Sequence, residues 1–289
     1  MWFRIAIFEA FLSSLIGIIS KKQVKTIHPI VTLFINLCFV LVFMLIIILL
    51  LGGIPMVTPK FFILMFCSSV LDVVAFSAGY YALKHTQISL LSPLGSLIPV
   101  FATFFGVIFL HEIPTPVKLL GIITIVAGIY LLNVVDIKGG ILKPFQKLFE
   151  EKGVRIYLIQ VILWGITPIF QKLAIFETHP TKPLFASFFG FLLVASYLSV
   201  FALGKIKREK KALKKNMWLF FLFGMFYAVC QFAGYTVLSM TQVGYATAIF
   251  SLSSLLTIIL GGVIFKESKI GERLVGAVVI IIGAFLLAI

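Results

Sequence analysis

Long apolar stretches follow one another along almost the whole chain, with only short polar segments between them. A transmembrane helix needs about 20 predominantly apolar residues, because about 30 Å of hydrocarbon is crossed at a rise of about 1.5 Å per residue. Of the 289 residues, 61% are hydrophobic and only 12% are charged. We therefore expect an all-α integral membrane protein with almost no soluble domain.

Ten membrane spans are predicted. They cover residues 2–20, 30–51, 61–83, 89–110, 116–135, 154–175, 183–204, 217–238, 244–265 and 271–289. The first span is not expected to be a cleaved signal peptide, because no small-residue cleavage site follows it. Cys38, Cys67 and Cys230 all fall inside spans, and we expect them to act as small apolar packing residues.

The chain contains an internal repeat. The stretch GYYALKHTQ, which begins at Gly79, returns as GYTVLSMTQ from Gly234, at an offset of 155 residues. Nearer the start of each copy the offset is 151 residues, which pairs Lys21 with Lys172. The sequence therefore predicts two copies of a five-helix unit. The units are residues 1–135 and 154–289, joined by a linker at 136–153.

Five is an odd number of crossings, and this decides how the two copies are oriented. The linker is too charged to cross, since each Asp, Lys or Arg at the membrane centre costs about 2.5 to 3.5 kcal/mol. The second copy must then enter the membrane from the opposite side. We expect ten transmembrane helices arranged as an inverted five-plus-five repeat, which is typical of secondary transporters that rock around a midplane site.

Polar side chains are concentrated in spans 1, 3, 4, 6, 8 and 9, whereas spans 5 and 10 carry almost none. A polar side chain in hydrocarbon must face protein or water, so these six spans should wall a common chamber while spans 5 and 10 lie outside it. The candidate substrate-binding residues are Glu9, Ser13, Asp72, Phe76, Tyr80, Ser96, Gln160, Trp164, Tyr227, Gln231, Tyr235 and Ser251.

Two carboxyl groups are candidates for proton coupling. Asp72 falls at the middle of span 3, where an unpaired carboxylate is costly and where an acid marks a transport pathway or proton site. The alternative is a protonated Asp72 that ties helices together through Ser68 or Ser69. Glu9 is the second candidate, and its alternative is an ion pair with Arg4 near the interface.

Other polar or helix-breaking residues have several interpretations. Lys172 closes span 6, where it could pair with an anionic cargo, pair with Asp72, or extend its amine to the interface. Glu112 is expected to pair at a helix start or within its loop. Pro99 suits a broken helix at a binding site, although an ordinary kink is the alternative.

Three segments carry a resemblance to a known family. They are LSPLGSLIPVFATFFGVIFLHE from Leu91, WGITPIFQK from Trp164 and FSLSSLLTIILGGVIFKE from Phe250. Their order and spacing resemble the drug/metabolite transporter superfamily, in particular its ten-helix EamA-like branch. The resemblance implies transport of amino acids, other metabolites, drugs or nucleotide sugars, frequently outward. Small multidrug relatives carry a proton-coupling carboxylate in helix 1, where this chain has Ser14.

The expected function is secondary transport of a small organic solute, by export or exchange, with protons as a candidate coupling ion. Flipping of a lipid or lipid-linked substrate is the alternative. An integral membrane enzyme is less favoured, because the four His and ten Asp and Glu residues form no catalytic constellation. No ATP-binding motif is present, and no cofactor or metal site is predicted.

The charge distribution predicts the orientation in the cell membrane. Nineteen of the 24 Lys and Arg residues lie in or beside the loops after spans 1, 3, 5, 7 and 9. The positive-inside rule places these loops in the cytoplasm and both termini outside, and accounts for the net charge of +14 without nucleic acid. The reverse orientation, which the resemblance implies, is the alternative. The linker 136–153 is expected to be an amphipathic helix on the cytoplasmic leaflet.

Overall fold

The computed structural model describes residues 1–51, 53–95, 97–133 and 150–266, and positions 275, 276, 278–280, 282, 283 and 286. Ser96 and most of the predicted amphipathic linker, 136–149, lie outside the described residues. The role of Ser96 in binding and the helix in the linker therefore stay predictions.

The described residues form helices and one short strand pair. The helices are α1 (Trp2–Val24), α2 (Pro29–Leu50), α3 (Pro59–His85), α4 (Ile88–Gly95), α5 (Ile98–Leu110), α6 (Pro116–Asn133), α7 (Lys152–Phe176), α8 (Pro183–Lys215), α9 (Met217–Met240), α10 (Val243–Phe250) and α11 (Ser253–Phe265). The described positions between 275 and 286 are also helical. The strands are β1 (Met56–Val57) and β2 (Thr178–His179).

Proline at the first positions and left-handed residues at the ends mark several helix boundaries. Pro29, Pro59 and Pro183 occupy the first positions of α2, α3 and α8, where the missing N–H costs no hydrogen bond. At the other end, α5 and α11 stop at His111 (φ 54°) and Lys266 (φ 55°), both in the left-handed conformation. These two residues are 155 positions apart, which is the offset of the sequence repeat.

The described residues are almost entirely helical, as expected for a multi-pass membrane protein. Within the described ranges, seven helical segments are long and apolar enough to cross a membrane, by length and composition. They are α1, α2, α3, α7, α8, α9 and the segment Val243–Phe265, which contains α10 and α11. Ile98–Leu110 and Pro116–Gly128 are shorter apolar helices. The total of ten crossings and their inverted arrangement stay predictions.

Two predicted spans are interrupted near the middle. Span 4 is divided into α4 and α5, and Pro99 is the second residue of α5, so the broken-helix interpretation of this proline is confirmed. Span 9 is divided into α10 and α11 without any proline, which the sequence did not reveal. The two interruptions are linked, because Ser92 Oγ donates a hydrogen bond to the carbonyl oxygen of Ser254 (3.0 Å).

The basic stretch KIKREKKALKK was predicted to be a loop after span 7, and this was wrong. Residues 205–215 continue α8, which runs without interruption for 33 residues from Pro183. Lys, Arg, Glu and Ala are strong helix formers, and the stretch contains no glycine or proline to stop the helix. The hydrophobic part of α8 is thus extended by a charged helical end.

Helices from the two predicted halves pack against each other throughout. The closest pairings join α3 to α7, α1 to α9, α2 to both α8 and α9, and α5 to both α7 and α10. The described helical residues between 275 and 286 pack against α6 at two glycine contacts. A Cβ atom on Gly128 would lie 2.8 Å from the carbonyl oxygen of Gly276. In the matching contact, a Cβ atom on Gly283 would lie 2.7 Å from the carbonyl oxygen of Gly121. Small residues at these positions let the two backbones approach closely.

A small polar cluster ties two loops together beside the strand pair. In the antiparallel pair, Met56 lies opposite His179 and Val57 opposite Thr178. Glu177 accepts a hydrogen bond from Thr58 Oγ1 (2.7 Å) and pairs with Lys60 Nζ (2.8 Å). The hydrogen bond from Lys60, followed by that from Thr58, holds the pKa of the Glu177 carboxyl below its ordinary value.

Candidate functional site

A cavity of about 340 Å³ lies among the helices, and residues of α1 to α5 and α7 to α11 line it. The structure brings eleven of the twelve candidate binding residues to its wall. They are Glu9, Ser13, Asp72, Phe76, Tyr80, Gln160, Trp164, Tyr227, Gln231, Tyr235 and Ser251. The twelfth, Ser96, lies outside the described residues.

The predicted set of walls was incomplete. Two further helices contribute, with Leu33, Asn36 and Leu37 from α2 and Phe191 from α8. Tyr157 of α7 also lines the cavity and was not singled out from the sequence. The available signal was Asn36, which is the only Asn in the apolar span 30–51. The apolar residues gave no such signal, because a cavity-lining Leu or Phe cannot be distinguished by type from one that faces lipid.

Glu9 is buried on α1, with 8% of its surface exposed. Its Oε1 atom accepts hydrogen bonds from Ser13 Oγ (2.7 Å) and from Cys230 Sγ (3.3 Å). Its Oε2 atom is buried and has no hydrogen-bond partner among the described residues. The alternative of an ion pair with Arg4 was wrong, since Arg4 is exposed. The expectation that Cys230 only packs was also wrong, because it contacts Glu9 at the cavity wall.

Asp72 is buried at the contact between α3 and α7, with 6% of its surface exposed. Its Oδ2 atom accepts hydrogen bonds from Ser68 Oγ on the same helix (3.2 Å) and from Gln171 Nε2 on α7 (3.1 Å). The predicted hydrogen bond from Ser68 is present, but it lies within α3, and it is Gln171 that ties α3 to α7; Ser69 donates instead to the carbonyl oxygen of Phe66. The carboxyl therefore both lines the cavity and joins two helices.

Tyr80 is held by a network of buried polar side chains. Its hydroxyl accepts a hydrogen bond from Asn36 Nδ2 (3.0 Å) and lies 3.4 Å from Ser20 Oγ. Asn36 in turn exchanges two hydrogen bonds with Gln23, at 2.9 and 3.0 Å. A buried network whose members are satisfied fixes side-chain orientation, so Tyr80 presents its ring to the cavity in a defined position.

Five aromatic rings form a continuous surface on one part of the cavity, here called the aromatic wall. Its members are Phe76, Trp164, Phe191, Phe223 and Tyr227. Neighbouring ring centroids are 5.1 to 5.9 Å apart along the series Trp164, Phe76, Phe191, Tyr227, Phe223. Most of these contacts are tilted or edge-to-face, which is a favourable geometry for ring quadrupoles.

Gln160 on α7 lies directly against Gly79 on α3. A Cβ atom at position 79 would stand 1.8 Å from Gln160 Oε1 and 2.5 Å from its Cδ atom. The glycine is therefore required for this amide to occupy its place at the cavity wall. Gly79 is also the first residue of the repeated stretch from which the two copies were identified.

Two lysines, Lys172 and Lys21, each lie near the C-terminal end of a helix and bind groups of neighbouring segments. Lys172, near the end of α7, forms an ion pair with Glu112 and donates to the carbonyl oxygen of Thr241 (2.9 Å). Glu112 Oε2 also accepts from the backbone N–H of Val243 (2.9 Å), so its predicted pairing at a helix start is confirmed. In this structure Lys172 is paired with Glu112 and is largely buried rather than extended to the interface, whereas its pairing with Asp72 in another state of the protein stays a prediction.

Lys21 occupies the matching position near the end of α1. Its amine donates to the carbonyl oxygens of Leu83 and Thr86, the second at 2.6 Å. Thr86 and Thr241 are 155 residues apart, and Lys21 and Lys172 are 151 residues apart. Each lysine thus contacts the equivalent carbonyl of its own half.

Metal binding finds no support in this part of the molecule. Over the described ranges, no group of three or more His, Cys, Asp or Glu side chains could hold a metal ion.

A polar and aromatic cavity enclosed by membrane-length helices defines a multi-pass membrane protein of the transporter class. The sequence model of the EamA-like transporter family matches residues 1–134 and again residues 151–289. This chain belongs to the EamA-like transporter family, and its resemblance to the drug/metabolite transporter superfamily is confirmed. The members of this family are transporters rather than enzymes.

Two individual proteins are similar to the chain. The uncharacterized protein MJ1333.1 of Methanocaldococcus jannaschii is 36% identical over 67 residues, which is 23% of this chain and 49% of that protein. This chain thus matches about half the length of that relative. A protein of known crystal structure has a TM-score of 0.69 at 13% identity, with 99% of this chain and 95% of that chain covered. At this identity the likeness shows a shared fold.

Proposed function

We propose that this protein is a secondary transporter of a small organic solute, working by alternating access around the cavity. The observation that carries the proposal is the cavity itself, which collects eleven widely separated candidate residues between helices of both halves. A midplane site between two repeats is the arrangement that lets one half rock against the other. Export or exchange is the mode we favour, in line with the family resemblance.

The inverted repeat is part of this proposal, with residues 1–135 and 154–289 as its units. Three matched features support it. The family model matches twice, the left-handed helix ends His111 and Lys266 are one repeat offset apart, and α6 meets the described helical residues between 275 and 286 through reciprocal glycine contacts. Duplicated local structure of this kind is expected when two copies of one unit fold alike.

The lysine contacts are the candidate gates. The Lys172 contact joins α7 to the loop that carries Glu112 and to the start of α10, whereas the Lys21 contact joins α1 to the end of α3. The ends of α1 and α7 lie on opposite sides if the second unit is inverted. We propose that one set of contacts opens while the other holds, which would expose the cavity to one side at a time.

Proton coupling is assigned to Asp72 and Glu9, the two carboxyls on the cavity wall. A carboxyl without a cationic partner inside a membrane is costly to ionise, which suits a group that takes up and releases protons.

The protein is placed in the cell membrane, with both termini outside. The support for that orientation is the excess of Lys and Arg in the loops after the odd-numbered spans.

Counterflow in reconstituted vesicles tests the proposal. Vesicles loaded with an unlabelled solute should transiently accumulate the same labelled solute, for at least one class among amino acids, organic cations and nucleotide sugars. Protein-free vesicles and the variant Ser251→Trp, whose bulk would fill the cavity, should show no such accumulation. If no class is exchanged above the protein-free level, the transporter proposal is wrong.

A further inference from the structure

We propose that the charged end of α8, together with the end of α1, binds the phosphate-bearing headgroups of anionic phospholipids. The residues concerned are 205–215, Lys22 and Lys25, and they are here called the basic surface. The inference goes beyond the proposed transport function, because none of these described residues lines the cavity.

The end of α8 carries a large excess of positive charge. Residues 205–215 include seven Lys or Arg and one acid, Glu209. Among the described residues, no carboxylate forms an ion pair with the exposed members of this group. Their charge is therefore available to a partner outside the chain. The exposed basic side chains are Lys207, Arg208, Lys210, Lys211, Lys214 and Lys215.

The opposite side of this helical end is packed onto the protein. Leu213 is buried in a cluster with Ile27 and Phe220, and Ile206 packs against the same cluster. Ile206 and Leu213 are two helical turns apart, so they lie on one side of α8. Because that side is anchored by apolar contacts, the basic side chains are presented outward from a fixed helix.

Both ends of the basic stretch lie beside the connection between α1 and α2. Lys205 Nζ is 3.5 Å from His28 Nε2, and Asn216 Nδ2 is 3.5 Å from Thr26 Oγ1. A helix rises about 16 Å from residue 205 to residue 216, at about 1.5 Å per residue. A helix directed straight out of the membrane would carry Asn216 away from this connection. The basic stretch thus runs alongside the connection rather than away from it.

Trp218 indicates the depth of the basic surface in the membrane. The membrane-length helix α9 begins at Met217, directly after Asn216 at the end of α8. Trp218 has 57% of its surface exposed, and Lys22 Nζ lies 5.8 Å from the centroid of its ring. Tryptophan is enriched where transmembrane helices reach the lipid headgroups. We therefore place the basic surface at the level of the headgroups.

The number of cations fits an anionic lipid as the partner. Clusters of about four to eight Lys or Arg beside a transmembrane helix attract anionic headgroups. Lys22 and Lys25 are exposed and add two amines to the six on α8. Their amines lie over the rings of Trp218 and Phe265, contacts that leave the positive charge in place. A phosphodiester of a neighbouring lipid would meet these amines without leaving the bilayer.

Quenching of Trp218 by brominated lipids tests this in vesicles. The chain has three tryptophans, so Trp2→Phe with Trp164→Phe leaves Trp218 as the reporter. Bromine on an acyl chain quenches only a nearby ring, so it reports which lipid lies beside the basic surface. Brominated phosphatidylglycerol should bind there about threefold or more tightly than brominated phosphatidylcholine. The preference should shrink as salt rises from about 0.05 M to about 0.5 M. Equal binding of the two lipids would overturn the proposal.

Variants then test the basic residues themselves. Lys210→Gln with Lys211→Gln should lower the preference for phosphatidylglycerol at Trp218, because two charges are lost while glutamine keeps the helix propensity. The matched control is Arg4→Gln with Lys60→Gln. It removes two exposed charges from the first turns of α1 and α3, whose other ends meet at Lys21. The control should keep the wild-type preference, and an equal loss in both variants would contradict a local site.

Removal of all six exposed charges of α8 gives the decisive result. The preference should fall to near equality when Lys207, Arg208, Lys210, Lys211, Lys214 and Lys215 are all changed to Gln. If this variant elutes from gel filtration like wild type and still prefers phosphatidylglycerol threefold, the basic surface is not the lipid site.

Inorganic phosphate distinguishes a lipid site from a general anion site. Phosphate, compared with chloride at equal ionic strength, should leave the lipid preference unchanged, because the bilayer holds its headgroups at high local concentration. Loss of the preference in phosphate alone would show a site for soluble anions and contradict the lipid assignment. These measurements involve no transported solute, so their outcome is independent of the proposed function.

Discussion

Lys172 on α7 is ion-paired with Glu112 in the loop after α5, and both side chains are largely buried, at 15% and 13% exposure. The same carboxylate accepts the N–H of Val243, so three segments meet at one group. Removing one partner of a buried pair leaves the other charge uncompensated, which costs about 3 kcal/mol. We expect Glu112→Gln and Lys172→Met each to lower the melting temperature clearly.

The double variant separates the pair from its individual residues. If the two charges act on each other, Glu112→Gln with Lys172→Met should lose less stability than the sum of the single changes. The labelling rate of the cavity residue Cys230 provides a second measurement. Cys38 and Cys67 are first changed to Ser, so that Cys230 is the cysteine that is labelled. A water-soluble maleimide should label Cys230 faster once the pair is broken. Additive stabilities together with an unchanged labelling rate would contradict the gate assignment.

The contact between Gly79 and Gln160 predicts the effect of one methyl group. Gly79→Ala would place Cβ within 1.8 Å of Gln160 Oε1, so the amide must leave its position at the cavity wall. We expect solute exchange to fall at least several-fold while the protein stays folded, because a flexible side chain can move away. Gly204→Ala is the matched control, since a Cβ there meets nothing within 4 Å. Full activity of the Gly79 variant would contradict a role for Gln160.

The sequence predicted the class, most span positions and eleven residues of the cavity wall, and the physical reason is that hydrocarbon tolerates few polar side chains. A residue such as Asp72 or Gln160 inside an apolar span must face protein or water, so polar type alone indicates location. The same logic located Asn36 only in retrospect, because Thr32 and Asn36 are too few polar residues in span 2 to form a stripe.

The parts that sequence could not predict depend on tertiary contacts. The interruption before Ser253 has no proline or glycine to mark it. The partner of Lys172 is Glu112, 60 residues away along the chain, and no local pattern links the two. Leu33 and Phe191 line the cavity with apolar side chains that are typical of lipid-facing positions as well. Each of these depends on how helices meet rather than on the composition of one helix.

The reciprocal glycine contacts predict a stability change away from the cavity. A Cβ on Gly128 would lie 2.8 Å from the carbonyl oxygen of Gly276 and 2.8 Å from the backbone nitrogen of Ile280. Backbone atoms cannot rotate away, so Gly128→Ala should separate the two helices at a cost of about 1 to 3 kcal/mol. Thermal unfolding in detergent measures this against Gly204→Ala. An unchanged melting temperature would mean that the two helices are not held in close contact.

Glu177 predicts how stability depends on pH at the loop cluster. Its pKa is lowered in the folded protein, chiefly by the hydrogen bond from Lys60 and then by that from Thr58. The stabilisation is therefore present above the ordinary value of 4.5 and is lost as the pH falls through the lower folded value. Glu177→Gln should lower the melting temperature slightly at neutral pH, and the difference from wild type should shrink at about pH 3. The exposed control Glu150→Gln should show no such trend. A difference that is equal at both pH values would contradict the assignment.

Asp72→Asn tests whether the buried carboxyl couples transport to protons. Asparagine keeps the shape and can still accept the hydrogen bonds from Ser68 and Gln171, but it cannot exchange a proton. In vesicles with an imposed pH gradient, accumulation of solute should fall to the level of a vesicle without a gradient. Counterflow, which needs no net proton movement, should continue at a rate similar to that of wild type. Glu150→Gln serves as the control for loss of a carboxylate. Undiminished accumulation would remove Asp72 from the coupling mechanism, and loss of both accumulation and counterflow would assign it to the contact between α3 and α7 instead.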